Sequence, residues 1–342
     1  MKRALTILLA LAAVACAKTE VAYDNTKSCE IALMPVSGGM TKAAILDAKF
    51  PTDNHIGLFA YYTPTISESG AVADYSKYDI KYFENTLFHC EAGAATWDGL
   101  ESDYYWPATG TLVFAGYSVN SPSAEFFNGG VYTYDLVKDQ LNINDFVQSP
   151  KTSSTYDLLY FGRTAAYNKN ALSVPVTFQH ALAWVEIQVK GDIGSLMGGA
   201  RTWRVTNLEF DNLFICGNFR YSGTEGTATW KAHTKSEDIV VYTGSQALTA
   251  DYAVIENTKA GTLVIPQTPH KLYAAIEYAS PAGDAIKEVV EIDIPAYTTA
   301  WEAGKKYTYQ LTFSPQEILV APTVQTWPTE GQPGNVNTTW PN

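Results

Sequence analysis

The sequence predicts an all-β protein built as a β-sandwich. Apolar and polar residues alternate at period two over many short windows. Gly, Pro and Asn interrupt those windows at short intervals, and long helical periodicity is almost absent. Many short strands separated by turn residues fold as sandwiches. The 342 residues are long enough for two domains of about 150 residues each.

The N-terminus is read first. Lys2 and Arg3 precede an apolar run from Ala4 to Ala15, which stops at Cys16. A membrane span needs about 20 apolar residues, so residues 1–15 read as an export signal. Ala13, Val14 and Ala15 before a thiol resemble a bacterial lipobox, with Ala13 at the position usually held by Leu. Cys16 is therefore expected to carry lipid, to begin the mature chain and to hold it at the outer membrane and cell surface.

Strands are predicted over residues 56–62, 111–118, 175–178, 183–189, 263–266 and 272–278. Over 288–294, Val290, Ile292 and Ile294 point inward while Glu291 and Asp293 point to water. The clearest strand is 307–313, with Tyr307, Tyr309, Leu311 and Phe313 on one side and Thr308, Gln310 and Thr312 on the other. One short helix is predicted, over 191–197. A polar, turn-like stretch at 167–172 marks a domain break.

Composition excludes several function classes. The formal net charge is −12 with only 23 basic residues, and no basic patch occurs, so nucleic acid is not an expected partner. The five histidines, His55, His89, His180, His233 and His270, are scattered, and His180, before an alternating strand, reads as structural. The spacing of Cys16, Cys29, Cys90 and Cys216 fits no zinc pattern. With Cys16 lipidated, at most one disulfide remains, of undetermined pairing, and Cys90 and Cys216 read as small buried hydrophobes. No phosphate loop or nucleophile elbow is present. The aspartate-rich stretch 135–145 lacks the glycine and terminal glutamate of a calcium loop. Neither metal, cofactor nor enzyme activity is expected. Trp97, Tyr104, Tyr105 and Trp106 have two readings, an exposed sugar-stacking platform or core packing.

Ordered short signatures then carry a resemblance. They include TKA at 41–43, FPT at 50–52, IGLFAY at 56–61, YWP at 105–107 and YDLLY at 156–160. Further on are VPVTFQHALAWV at 174–185, LVIPQT at 263–268 and WEAGKKYTY at 301–309. Together they resemble the fimbrillin family, the pilin-like lipoproteins of type V pili, over nearly the whole mature chain.

The resemblance implies two transthyretin-like Greek-key β-sandwich domains in tandem, at 43–170 and 171–327. It also implies proteolytic removal of an N-terminal strand and its replacement by a strand of the next pilin subunit, which is β-strand addition. Residues 16–42 would hold the removable strand, with Ile31 and Leu33 leaving the groove. Lys42 stands where shaft subunits of the family present arginine, and no arginine occurs between Arg3 and Arg163. Either a lysine-tolerant processing protease acts, or the chain stays uncut as an anchor or a surface lipoprotein. Ile318, Val320, Val324 and Trp327 lie on an apolar extended segment suited to donation, with Pro322 fitting an edge strand. Residues 328–342 read as a flexible tail. The expected function is a structural or adhesive pilus subunit, with a host or glycan receptor as a further partner. The alternative is a non-polymerising glycan-binding surface lipoprotein that uses Trp97 or Trp106.

Overall fold

The computed structural model describes residues 30–35, 54–65, 74–90, 96–99, 104–119, 131–148, 157–166, 174–192, 202–255, 262–279, 283–294, 300–314 and 318–326. Strands dominate them. The first part of the chain carries β1 (Leu33–Pro35), β2 (Asn54–Thr63), β3 (Ile80–Cys90), β4 (Asp98–Gly99) and β5 (Thr111–Ser118). Next come β6 (Val131–Asp135), β7 (Gln140–Val147), β8 (Leu159–Ala166), β9 (Val174–Val176) and β10 (Gln179–His180). The later part carries β11 (Ala183–Gly191), β12 (Arg204–Ser222), β13 (Thr227–Ala247), β14 (Ala253–Val254) and β15 (Thr262–Val264). It ends with β16 (Lys271–Ala279), β17 (Ala285–Asp293), β18 (Lys305–Phe313) and β19 (Ile318–Thr326). Among the described residues the one helical element is a 3-10 turn, Tyr75–Lys77, whose cap Asp74 accepts from the Ser76 amide. Of the predicted helix over 191–197, Gly191 instead ends β11, and 193–197 lie outside the described residues.

Three sheets stack around three apolar clusters. The first sheet runs β10-β8-β5-β2-β3-β4. The second runs β17-β16-β12-β7-β6, with β13 also on β12. The third runs β14-β11-β18-β19, with β15 also on β11. The second and third enclose a sandwich core that includes Val185 and Ile187 of β11, Phe210 of β12, Leu272 of β16 and Tyr309 of β18. One face of the first sheet, with Leu58, Phe114 and Phe161, joins β1 and β9 in a second core. Its other face, with Phe59, Val113 and Tyr160, meets β6, β7 and the far end of β12 in a third.

Alternation therefore splits between two cores instead of between core and water. Phe114 lies in one cluster and its neighbours Val113 and Ala115 in another. This accounts for β5 being buried at every position. The β12–β13 hairpin joins the cores. Phe210 and Leu213 of β12 belong to the sandwich core, and Phe219 to the junction core. Five register shifts bend it along the way.

The polar side of β18 is satisfied inside the protein. β11 and β18 run parallel, with Glu186 opposite Thr308. Lys306 Nζ lies 2.8 Å from Glu186 Oε2 and 4.1 Å above the Trp184 ring. Gln310 Nε2 donates to Gln188 Oε1 at 2.9 Å. Both members of the Glu186–Lys306 pair are buried, which makes the pairing compulsory once the strands are adjacent.

The junction core is tipped with tyrosine hydroxyls. Tyr61 donates to the Tyr134 carbonyl at 2.8 Å, and Tyr134 to Asp139 Oδ1 at 2.6 Å. Asp139, at φ 49 in the β6–β7 turn, also accepts from the Arg163 amide of β8 at 3.0 Å. Its carbonyl accepts from the Gly223 amide after β12 at 2.8 Å. A Cβ on Gly223 would sit 1.8 Å from Asp139 Oδ2, so this close approach requires glycine. Burial first, then the charges of Glu84 and Asp135, push the Tyr61 hydroxyl up to about 12. Burial also raises Tyr134 and Tyr160. The folded protein thus holds these phenolic protons more tightly than the unfolded chain. Stability is expected to be full below about pH 10, the unperturbed tyrosine value, and to fall as pH rises through 12. Urea melts across that window should show the decline, and Tyr61→Phe should flatten it.

Candidate functional site

The site is built from the segment at residues 30–35. Its sequence, EIALMP, alternates, and Ile31 and Leu33 are both 0% exposed in the second core. The segment is paired on both sides. The Ile31 amide donates to the Tyr104 carbonyl at 2.7 Å. Leu33 and Trp97 exchange amide bonds at 3.2 and 3.0 Å. On the opposite side, the Val174 amide donates to the Ala32 carbonyl at 2.8 Å. β1 continues parallel to β9, with Leu33 opposite Val174 and Pro35 opposite Val176.

Aromatic residues build the groove wall. Trp97 packs 6.1 Å from Phe178, and Phe178 meets Phe161 edge-on at 5.0 Å. Trp106 meets Phe114 edge-on at 5.9 Å. Tyr104 stacks on Phe88, and Tyr82 anchors the same stretch by donating to the Tyr105 carbonyl at 2.6 Å. Trp97 and Trp106 are 1% and 3% exposed. Their faces are committed to the core, so of the two readings core packing holds and the sugar platform at Trp97 and Trp106 does not.

Burying Ile31 and Leu33 is worth roughly 1.5–3 kcal/mol each. Each backbone bond to the groove adds about 0.5–1.5 kcal/mol.

The remaining sequence-predicted residues lie apart from this groove. Ile318, Val320 and Val324 sit on β19, an edge strand antiparallel to β18. Ile318 and Val320 pack against the sandwich core, while Leu319 and Val324 are 55% and 47% exposed. Cys16, Lys42 and Trp327 lie outside the described residues, as does the predicted break at 167–172.

Among the described residues, no group of three His, Cys, Asp or Glu could hold a metal. His180 Nδ1 lies 3.0 Å from Asp157 Oδ2, with both side chains buried, in keeping with a structural histidine. Burial, then the charge of Asp98, raises the Cys90 thiol, the opposite of an activated thiolate. Cys216 is only half-buried, against the expectation of a fully buried residue. Sequence reasoning also missed a cleft of about 660 Å³, lined by Tyr160, Gln179, Tyr221, Trp230 and Glu302 among others. No sequence signal marks it, because its walls come from strands far apart in the chain.

A family model described as fimbrillin-like matches residues 41–327. The chain belongs to the fimbrillin-like family. Solved structures are similar to the chain to different degrees. A fimbrial protein from Bacteroides vulgatus aligns with a TM-score of 0.60 at 16% identity, over 87% of this chain and 99% of that one. A candidate cell adhesion protein from Bacteroides uniformis aligns at 0.47 and 20% identity, over 87% and 99%. Another from Bacteroides ovatus aligns at 0.46 and 16% identity, over 87% and 97%. No curated protein matches. At 16% identity the likeness to the Bacteroides vulgatus protein is one of fold.

In this fimbrillin-like chain the two strand ends should respond differently to truncation. Leu33→Ala is expected to cost about 2–5 kcal/mol in chemical denaturation, because a buried aliphatic leaves a cavity. Val324→Ala, at an exposed edge, should stay within about 0.5 kcal/mol.

Proposed function

We propose that this fimbrillin-like protein is a structural, non-enzymatic subunit of a cell-surface fimbria that assembles by strand exchange. The observation that carries the reading is the double-sided pairing of residues 30–35, which fill a groove in an otherwise complete core. Cleavage at Lys42 would cut the strand from the chain and allow it to leave. The vacated groove then presents unpaired amides and carbonyls and two apolar pockets, which only another strand can satisfy. The C-terminal segment of the next subunit is the donor, carrying Ile318, Val320, Val324 and Trp327. Lipid on Cys16 holds the precursor at the outer membrane until a processing protease acts.

Mass and N-terminal sequence of the protein taken from its host's surface test the processing step. A chain starting at Ala43 is expected. A lipid-bearing start at Cys16 would instead assign an uncut anchor. Deleting the chain from Gln316 onward should abolish multimers in light scattering while leaving the second core folded. Multimers at normal yield would overturn the donor role.

The cleft favours a second reading. Tyr160 donates to Gln179 at 2.9 Å and Trp230 to the Ala181 carbonyl at 2.7 Å. These bonds fix aromatic rings beside the exposed Gln179 and Glu302, a combination suited to a sugar ring. Oligosaccharide binding lost on Trp230→Ala would support a glycan role. Binding unaffected by that change would remove the cleft from consideration.

A further inference from the structure

The second sheet ends in a strand that is paired on one side only. β17 pairs with β16 along all 9 of its residues without a register shift. Among the described residues nothing pairs with its other edge. Edges are commonly protected by bulges, prolines or shortness, and β17 has none of these. Its central residue is Val289, which at 73% is the most exposed of the large hydrophobic residues described. Val290 and Ile292 pack on the sandwich core, so Val289 shares the outward face with Lys287 and Glu291.

The strand reads AIKEVVEID and complements a reversed copy of itself. Turned about Val289, Lys287 meets Glu291, Ile286 meets Ile292 and Val289 meets its own copy. We infer that β17 is a docking edge for β17 of a second copy of this chain, antiparallel and centred on Val289. A two-fold axis there joins the two second sheets into one. Two Lys287–Glu291 pairs flank the valines on the outward face, and two Ile286–Ile292 pairs lie on the core side. The pairing empties no groove, so it is independent of strand exchange and available to the uncut chain.

Other alignments are worse. Facing side chains must share a face, so the axis moves in whole-residue steps. Centring it on Glu288 sets that carboxylate against its own copy and Lys287 against Val289. Like charges directly opposite each other destabilise. Centring it on Val290 sets Val289 against Glu291 and Ile292 against Glu288, so carboxylates face apolar groups. A parallel, in-step pairing sets Lys287 and Glu291 each against its own copy. The acidic residues of the strand are matched within the chain. Glu291 is paired with Lys271, Asp293 lies opposite Lys271, and Glu288 accepts from the Tyr278 hydroxyl at 2.8 Å. Lys287 lies 3.3 Å from Glu277 with its side chain 75% exposed, and in the dimer it sits between two carboxylates. An edge-only contact buries less than a standard interface, so the association is reversible and depends on concentration.

Sedimentation of the purified, uncut full chain tests the partner. Its mass should rise from the monomer value towards twice that value with concentration. Val289→Lys, at an exposed site, should hold it at the monomer value, with circular dichroism showing that the variant folds. A parent chain that stays monomeric at every concentration would overturn the dimer. A dimer indifferent to Val289→Lys would overturn this edge as its seat.

Disulfide formation tests the register. Facing residues of antiparallel strands stand about 4.5–5.5 Å apart at Cα, within disulfide reach. Val289→Cys lies on the axis and should give a covalent dimer by itself on mild oxidation, above the background that the parent's own cysteines set. Position 287 is displaced from its own copy by four residues, about 14 Å along the strand. Lys287→Cys alone should therefore stay at background, and should link when mixed with Glu291→Cys. Lys287→Cys linking to itself as readily as Val289→Cys would overturn the register.

Discussion

Backbone groups at a sheet edge must be paired, and in this protein the groove behind Trp97 and Val174 meets that requirement with residues from the far N-terminal side of the chain. Tyr104, Trp97 and Val174 belong to three separate stretches of sequence, and Glu30–Ile31–Ala32–Leu33 is the piece that joins them. Without it the second core lacks two aliphatic side chains, and its amides and carbonyls have no partners. The aromatic wall of Trp97, Trp106 and Phe178 is shaped around that strand. Residues that could have been a surface platform are walls for this reason.

One long strand and one turn tie the cores together. β12 contributes to two cores, so a displacement at its Phe210 end bears on the packing at Phe219. Asp139 fastens the β6–β7 turn to β8 and to the chain after β12 with a carboxylate, a carbonyl and a glycine that leaves room for both. Gln148 spans from the Ile215 carbonyl to the Leu263 carbonyl and ties the second sheet to the third.

The edge strands are managed differently at the two ends of the molecule. β13 runs along one edge of the second sheet with repeated register shifts and with Lys231, Lys235 and Glu237 along its length, features that discourage pairing with another chain. β19 pairs regularly along all of β18, with Leu319 and Val324 exposed and few charges. The two edges thus differ in regularity and charge.

Much of the fold was legible in the sequence because simple periodicity records burial on one face. β18 shows it best: Tyr307, Tyr309, Leu311 and Phe313 face the sandwich core as their spacing requires, and β17 places Ile292 inward and Glu291 outward. The long β12–β13 hairpin and the β6–β7 hairpin were not legible. Bulges break the alternation of the first, and aspartates around the turn disguise the second. Of the groove, sequence alone determined the alternating aliphatic pair Ile31 and Leu33 and the fimbrillin-like pattern around them. Only the tertiary structure decided that the first pair is inserted between Trp97 and Val174, and that Trp97 and Trp106 face inward. Local pattern specifies which face of a strand is apolar, whereas long-range pairing chooses what that face meets.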